Sequence, residues 1–177
     1  MNAPRISSEN LHSSTVALNG RAVLIAGPSG SGKSDLALRL LDRGFTLVSD
    51  DRTIIRKQGG KLIASAPETI KGKLEVRGVG IVEVESVTNV PVALVVELTC
   101  DIQRMPDDSR ERLILGTGIP LINVDAMRAR VSVVIPRILR FNEPATLLAN
   151  EFLHWKPAQA AASSSLADGG GNTLSSP

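Results

Sequence analysis

The chain has 177 residues, of which 42% are hydrophobic and 2% aromatic, and its formal net charge is +2. This length and composition predict one domain with a sizeable core of aliphatic side chains. A charge so close to neutral, with so few aromatic rings, argues against a nucleic-acid partner. No stretch has the length of a membrane span, and Met1 to Asn10 lack the apolar segment of a signal peptide. We therefore expect a cytoplasmic protein with no membrane partner.

The first elements in chain order are two strands joined by a tight turn. Residues 1–8 are polar, so we expect a flexible N-terminus before a domain that spans residues 9–156. Asn19-Gly20 lies between two apolar runs, and Asn-Gly in that setting is a strong hairpin signal. His12 precedes the hairpin, which places its imidazole beside the segment that follows the second strand.

A glycine-rich segment follows the hairpin and matches the phosphate-binding pattern G-x-x-x-x-G-K-S. It consists of Gly27, Pro28, Ser29, Gly30, Ser31, Gly32, Lys33 and Ser34. An apolar strand pattern precedes it and a helical pattern over residues 33–43 follows, which is the context that the motif requires. Backbone N–H groups of such a loop and the positive end of the helix bind phosphate. Lys33 would reach the outer phosphates, and the Ser34 hydroxyl would bind Mg²⁺.

A short apolar strand after the helix ends in Asp50-Asp51. Because ligands bind at the carboxyl ends of strands in open α/β sheets, we expect these carboxylates beside the loop. One of them can hold Mg²⁺, and the other can act as general base on an attacking hydroxyl. The alternative is a solvated pair that begins a turn.

The middle of the chain is predicted to be mostly β-structure. The turn at Gly59-Gly60 would join two antiparallel strands, and the apolar run from Pro91 to Cys100 would form a central strand with a buried thiol at its end. A polar loop is expected over residues 101–112. Residues 113–124 would give two short strands broken by glycines and Pro120.

The last part of the chain is read from its capping residues and composition. Residues 131–135 are compatible with strand or helix. Asn142 begins a pattern that predicts a helix as far as about His154. Residues 157–177 are rich in Ser, Gly and Ala, and we expect them to be a disordered tail.

Three further charged residues are candidates for the phosphate site. Glu75 and Arg77 would share one face of a strand, which would bring a carboxylate and an anion-pairing cation together. Exposed Glu/Arg alternation is common, so the spacing alone is weak support. Arg104, in the polar loop, reads by itself as a solvated side chain.

The order of these motifs narrows the phosphate chemistry. No N-K-x-D segment that would read guanine is present. An ABC-type ATPase would need a longer chain and a more distant acidic strand. An acidic strand directly after the loop suits a small kinase whose base lies close to the γ-phosphate.

Two segments together resemble the catalytic domain of the HPr kinase/phosphorylase family. They are residues 27–51, GPSGSGKSDLALRLLDRGFTLVSDD, and residues 74–81, LEVRGVGI. The resemblance covers roughly residues 10 to 140. It implies an α/β fold, a P-loop kinase core related to phosphoenolpyruvate carboxykinase, with a mixed sheet and few helices. It also implies Mg²⁺ and ATP as cofactors, a serine of the phosphocarrier protein HPr as acceptor, reversal by phosphorolysis that releases pyrophosphate, and a hexameric homo-oligomer.

The resemblance assigns catalytic roles to four residues. His12 matches an active-site histidine, Lys33 is the loop lysine, and Arg104 is similar to a later active-site arginine. Asp51 would accept the serine proton in the kinase direction and return it in the reverse direction.

The resemblance also assigns the metal site. Ser34 and Glu75 would be the protein ligands of Mg²⁺, with Asp50 and Arg77 in supporting positions. Two alternatives stay open, and the first is motivated by the longer N-terminal and C-terminal parts that the resemblance leads us to expect. One is a nucleotide-sensing regulatory module with little phosphotransfer. The other is a small-molecule kinase, for which residues 101–112 are the candidate lid.

Overall fold

The computed structural model describes residues 7–100 and 110–125, together with residues 132, 135, 136 and 139. Within these residues the elements are β1 (Ser8–Leu11), β2 (Ser14–Leu18), β3 (Arg21–Ala26), α1 (Lys33–Leu41), β4 (Thr46–Ser49), β5 (Thr53–Gln58), β6 (Lys61–Ser65), β7 (Lys73–Val76), β8 (Gly80–Glu83), β9 (Val90–Leu98), β10 (Glu111–Ile114) and β11 (Thr117–Val124).

Nine of these strands form one mixed sheet. Its main path has the order β1-β5-β6-β9-β3-β2-β4, and the β10–β11 hairpin joins it where β11 pairs with β9. The β3–β9 and β9–β11 pairs are parallel and the other pairs in the sheet are antiparallel. β7 and β8 form a separate two-stranded hairpin. The predicted α/β class with a mixed sheet and few helices is confirmed.

The predicted Asn-Gly hairpin is present and leads directly into the phosphate loop. β2 and β3 pair from Leu18–Arg21 at the turn to Ser14–Ile25 at the open end. Asn19 and Gly20 have φ of 51° and 71°, which is the left-handed pair that a tight two-residue hairpin needs. The chain therefore leaves β3 at the edge of the sheet where β2 begins.

In an open α/β sheet, the strand that carries the acidic pair would be parallel to its neighbour. In this structure it is antiparallel to it. β4 pairs antiparallel with β2, which is itself antiparallel to β3. β3 and β4 therefore run in the same direction with one strand between them. Their carboxyl ends lie at the same edge of the sheet, so the expected proximity of Asp50 to the loop is reached by a different topology.

Apolar side chains pack against both faces of the sheet, because successive residues of a strand point to opposite faces. On one face, Leu36 and Leu40 of α1 pack with Leu47 and Leu74, all with 0% exposure. Full burial of each leucine contributes about 1.5–3 kcal/mol. These contacts hold α1, and with it the end of the phosphate loop, against the sheet. The other face carries a second core that includes Ile55.

The second half of the domain departs from the predicted pattern in three places. The Cys100 thiol is exposed, so the expectation of a buried thiol is wrong. Glu111 and Arg112 belong to β10 and not to a loop. Pro120 does not break a strand: β11 pairs with β10 up to this residue and with β9 from Leu121 onward. A change of partner strand accommodates a residue that has no N–H to donate.

The region that was compatible with strand or helix is helical at its described residues, which are 132, 135, 136 and 139. Ile135 and Leu139 are 0% and 4% exposed and belong to the α1 core. The guanidinium of Arg21 donates to the Leu139 carbonyl at 2.9 Å. Residues 1–6, most of the polar loop at 101–109, the helix expected from Asn142 and the tail at 157–177 lie outside the described residues.

Candidate functional site

The phosphate loop begins at a position where only glycine fits. Gly27 has a φ of 144°, and a Cβ on it would lie 2.9 Å from both Leu98 Cβ and Ser31 Oγ. The loop start is therefore packed directly against the end of β9, the central strand. Within the loop, the N–H of Ser31 donates to the Pro28 carbonyl at 3.1 Å, which closes a tight turn.

The positive groups of the loop converge on its interior. Lys33 is 7% exposed, and its ammonium donates to the carbonyls of Gly27 and Pro28 at 3.1 and 2.9 Å. No side chain caps the N-terminus of α1, where Gly32 has left-handed geometry with a φ of 94°. Uncapped first-turn N–H groups and the helix dipole both favour a bound anion. The loop has the composition and the geometry of a phosphate cradle.

Asp50 connects the phosphate loop to three strands. Its carboxylate is 5% exposed and accepts hydrogen bonds from the Ser34 hydroxyl at 2.8 and 3.1 Å. The Ser14 hydroxyl of β2 donates to it at 2.6 Å, and the Glu75 backbone N–H of β7 donates at 3.1 Å. These donors replace the hydrogen bonds to water that a buried carboxylate gives up. Asp50 thereby fixes the end of β4 against the first turn of α1.

Asp51, the next residue, has the opposite surroundings. Its side chain is 67% exposed, and its Oδ1 lies 3.4 Å from Nε2 of His12, whose side chain is 55% exposed. The backbone at Asp51 is left-handed, with a φ of 65°. The Arg52 N–H donates to the Asp50 carbonyl at 2.8 Å, which closes a three-residue turn centred on Asp51. Such a conformation costs about 1–3 kcal/mol in a non-glycine residue and is typical of functional sites.

The β7–β8 hairpin forms a further wall of the site. The Glu75 side chain is exposed, and the backbone of this residue is bonded to Asp50. Arg77 is not on the same strand as Glu75, because β7 ends at Val76 and the chain turns there. Its guanidinium nevertheless lies at the phosphate loop, since a Cβ on Gly30 would be 3.9 Å from its Nη2.

The structure thus brings most of the sequence-predicted site residues to one edge of the sheet. Arg104 lies outside the described residues. The sequence reasoning missed Ser14, which is fully buried and bonded to Asp50. The available signal was a run of three hydroxyl residues, Ser13, Ser14 and Thr15, directly after His12.

The oxygen donors at the loop suit Mg²⁺ bound with a nucleotide. Among the residues that the structure describes, no three His, Cys, Asp or Glu side chains gather into a cluster that could hold a metal alone. Mg²⁺ in phosphoryl-transfer sites takes one or two protein oxygens and completes its shell with phosphate oxygens and water. The Ser34 hydroxyl and the exposed Glu75 carboxylate on the neighbouring wall would supply such donors, and the buried Asp50 carboxylate holds the Ser34 hydroxyl by a hydrogen bond.

Comparison with known proteins gives consistent similarities. The sequence model of the HPr Serine kinase C-terminal domain matches residues 5–142. The HPr kinase/phosphorylase of Prosthecochloris aestuarii is 35% identical over 147 residues, which cover 76% of this chain and 43% of that protein. The corresponding protein of Brevibacillus brevis is 37% identical over 145 residues, which cover 75% of this chain and 47% of that protein. The chain spans less than half the length of these curated relatives.

A solved structure is similar in fold as well as in sequence. The Hpr(Ser) kinase/phosphatase from Coxiella burnetii superposes with a TM-score of 0.66 at 29% identity. The match covers 76% of this chain and 95% of that one. Separately, no helix among the described residues is both long enough and apolar enough to cross a membrane.

Proposed function

Because the chain belongs to the HPr Serine kinase C-terminal domain family, we propose that it is an ATP-dependent protein-serine kinase that acts on the phosphocarrier protein HPr. We include in the proposal the reverse reaction, phosphorolysis of the phosphoserine with release of pyrophosphate. The main observation in its support is that two adjacent carboxylates have different surroundings. Asp50 is bonded to Ser34 of the phosphate loop, and Asp51 faces solvent beside His12.

The nucleotide part of the proposal rests on the loop. Backbone N–H groups of residues 27–34 and the uncapped start of α1 would bind the phosphates of ATP. Ser34 and Glu75 would hold Mg²⁺, with Asp50 keeping the Ser34 hydroxyl in place. Bound Mg²⁺ supplies neutralisation of the charge on the transferred phosphoryl group. Lys33 and Arg77, both at the loop, add positive charge from the protein.

The transfer part of the proposal rests on Asp51. In the forward direction its carboxylate accepts the proton of the serine hydroxyl while the serine oxygen bonds the γ-phosphorus and the bond to the ADP oxygen breaks. In the reverse direction an oxygen of inorganic phosphate attacks the phosphoserine phosphorus. The serine oxygen leaves and takes the proton from Asp51. His12 contacts Asp51 and orients its carboxylate, and Arg104 stays a prediction for the same site.

The exposure of Asp51 and His12 favours a macromolecular acceptor. A folded protein has to bring its serine to the site from outside, and both side chains are more than half exposed. The proposal also places the reaction in the cytoplasm, where ATP and a phosphocarrier are both available. The homo-oligomer implied by the family resemblance is part of the same proposal.

Intact mass spectrometry of HPr after incubation with this protein and Mg-ATP tests the proposal. We expect one added phosphate, on a serine, and its loss with formation of pyrophosphate when inorganic phosphate is supplied. Nucleotide binding by calorimetry with unchanged HPr mass would contradict the proposal and favour the sensing module. Steady ADP release from a small-molecule mixture with unchanged HPr mass would favour the small-molecule kinase.

A further inference from the structure

Two segments of the chain bend side by side at one corner of the sheet. β1 pairs with β5 up to the Leu11–Thr53 pair, and β2 then pairs with β4 on the other side of the corner. The segments that cross the corner are residues 12–14 and 50–52. They carry the imidazole and the carboxylate of the candidate transfer site. Their relative position therefore sets the distance between those two groups.

Three buried hydroxyl groups join the two segments just behind these groups. We call Ser13, Thr15 and Thr53 the hydroxyl cluster; they are 2%, 0% and 0% exposed. Thr53 Oγ1 lies 3.0 Å from Ser13 Oγ, 2.7 Å from Thr15 Oγ1 and 3.2 Å from the Ser13 carbonyl oxygen. None of these bonds is part of a strand ladder.

The hydroxyl of Thr53 has three hydrogen-bonding partners in this arrangement. It accepts from the Ser13 hydroxyl and donates to the Ser13 carbonyl, and in its contact with the Thr15 hydroxyl either oxygen can be the donor. A buried hydroxyl with three partners is a rigid connection, and its removal takes one hydrogen-bonding partner from the Ser13 hydroxyl, the Ser13 carbonyl and the Thr15 hydroxyl.

The hydroxyl cluster and Asp50 hold the transfer site from its two sides. Asp51 lies between Asp50, which is bonded to Ser14, and Thr53, which is bonded to Ser13. His12 is the residue directly before Ser13. The left-handed turn at Asp51 is unfavourable by itself and persists only where its flanks are fixed.

We propose that the hydroxyl cluster is a positioning device for the phosphoryl-transfer site, with Thr53 as its central positioning residue. The expected effect on catalysis rests on the proposed function, whereas the positioning of Asp51 and His12 does not. Thr53 contacts neither nucleotide nor acceptor in this account. It sets the place of Asp51 and His12 through the backbone segments that carry them.

The test compares Thr53→Val with Thr53→Ser and with Ile55→Val in the full chain. Valine keeps the shape of threonine and removes the hydroxyl, whereas serine keeps the hydroxyl. Ile55 is fully buried on the same strand and belongs to the apolar core, so Ile55→Val lowers stability without removing a polar bond at the corner. Ser13→Ala removes one bond of the hydroxyl cluster and serves if Thr53→Val does not fold.

The first readout does not depend on activity. The chain contains two histidines, so the imidazole signals of His12 are identified in an NMR spectrum by their loss in His12→Gln. We expect Thr53→Val, and to a smaller extent Ser13→Ala, to shift these signals. Thr53→Ser and Ile55→Val should leave them in place. Unmoved His12 signals in Thr53→Val, or equal shifts in Ile55→Val, would overturn the positioning role whatever reaction the protein performs.

The second readout is transfer of phosphate to HPr. We expect Thr53→Val to lower kcat by a factor on the order of ten or more, because small displacements of reacting groups are costly. The calorimetric Kd for Mg-ATP should not change, and Thr53→Ser should restore kcat. A shift of the His12 signals with an unchanged kcat would overturn the catalytic consequence. Inactive wild-type protein would count against the proposed function and leave the NMR result to decide the positioning role.

Discussion

The nucleotide side and the transfer side of the site differ in how firmly the protein holds them. On the nucleotide side, Asp50 is 5% exposed and accepts hydrogen bonds from Ser14, Ser34 and the backbone of Glu75. On the transfer side, Asp51 is 67% exposed and contacts His12 from a strained backbone conformation. Two aspartates joined by one peptide bond therefore have opposite physical surroundings.

Under the proposed function, this difference would separate nucleotide binding from phosphate transfer. A phosphate cradle has to be rigid before the ligand arrives, because ordering it afterwards would weaken binding. A base that meets a protein acceptor has to be accessible. The turn after β4 meets both needs, since one carboxylate points into the sheet edge and the next points out. Substitutions on the two sides should therefore give different kinds of defect.

The largest effect is expected from Asp51→Asn. The amide cannot accept the serine proton, so phosphate transfer to HPr should fall by a factor of about 10²–10⁴. Mg-ATP affinity and thermal stability should stay at wild-type values, because the side chain is exposed and carries no structural hydrogen bonds in the core. Steady-state kinetics and calorimetry measure both. Asp42→Asn, at another exposed aspartate, is the control, and transfer that survives in Asp51→Asn would exclude Asp51 as the base.

Next in size is the effect of Gly27→Ala at the start of the loop. The new Cβ would meet Leu98 and Ser31 at 2.9 Å, and the φ of 144° is unsuitable for alanine. Overpacking costs about 1–3 kcal/mol, and the backbone conformation costs a further 1–3 kcal/mol or so. Denaturant unfolding should show the loss, and Mg-ATP binding should be lost with the loop geometry.

The matched control for Gly27→Ala is Gly44→Ala. Gly44 also has a left-handed φ, of 87°, but a Cβ there meets no atom within 4 Å. Its substitution should carry the backbone cost alone and leave nucleotide binding intact. Equal losses of stability and of binding in the two variants would show that the contact with β9 does not shape the loop.

A smaller loss of stability is expected from Asp50→Asn. The amide nitrogen would face N–H and O–H donors in a buried place, which leaves at least one group without a partner. The free energy of unfolding should fall by about 1–3 kcal/mol. Ser14→Ala removes one donor only and should cost about 1 kcal/mol. If Asp50→Asn were as stable as the wild type, the hydrogen bonds around Asp50 would not hold the nucleotide side together.

The smallest effect is expected from Asp35→Asn on the exposed face of α1. Asp35 pairs with Arg39 at 2.8 Å, and its side chain is 67% exposed. Exposed pairs one helical turn apart contribute about 0.3–0.5 kcal/mol, and salt screens them. Chemical unfolding at low and high salt measures the difference, which should shrink as salt rises. A loss above 1 kcal/mol or so would mean that the pair is more than a surface contact.

Sequence alone was sufficient for the local features of this site. The Asn19-Gly20 turn, the phosphate loop and the helix after it follow from backbone preferences that a few neighbouring residues determine. The family resemblance of two motifs was also correct. These features predict a phosphate-binding loop, and the structure places Asp50 of the acidic pair beside it.

The division between Asp50 and Asp51 could not be predicted, because it depends on long-range geometry. The acidic strand was expected to be a parallel strand of an open sheet, whereas β4 pairs antiparallel with β2, which lies between β3 and β4. The left-handed turn at Asp51 has no local signal, since aspartate is not a residue that demands it. Nor could the pattern show that Ser14 would donate to Asp50, because polar residues at the start of a strand are common.

Arg77 and Cys100 illustrate the same limit in single residues. Spacing placed Arg77 on a strand face, and the chain turns one residue earlier, yet its guanidinium still lies at the loop. Cys100 follows an apolar run, and the strand ends before its side chain enters the core. In both cases the residue at which a strand ends determines where the side chain lies. Strand ends depend on neighbours that are distant in sequence.

Single-turnover transfer to HPr, measured for Asp50→Asn and Asp51→Asn over a range of Mg-ATP concentrations, tests the central claim most directly. The account predicts that transfer by Asp50→Asn recovers as Mg-ATP is raised, because its defect lies in holding the nucleotide side together. Transfer by Asp51→Asn should stay low at saturating Mg-ATP, because its defect lies in accepting the proton. The account would be contradicted if transfer by Asp51→Asn recovered at high Mg-ATP while Asp50→Asn stayed inactive at every concentration.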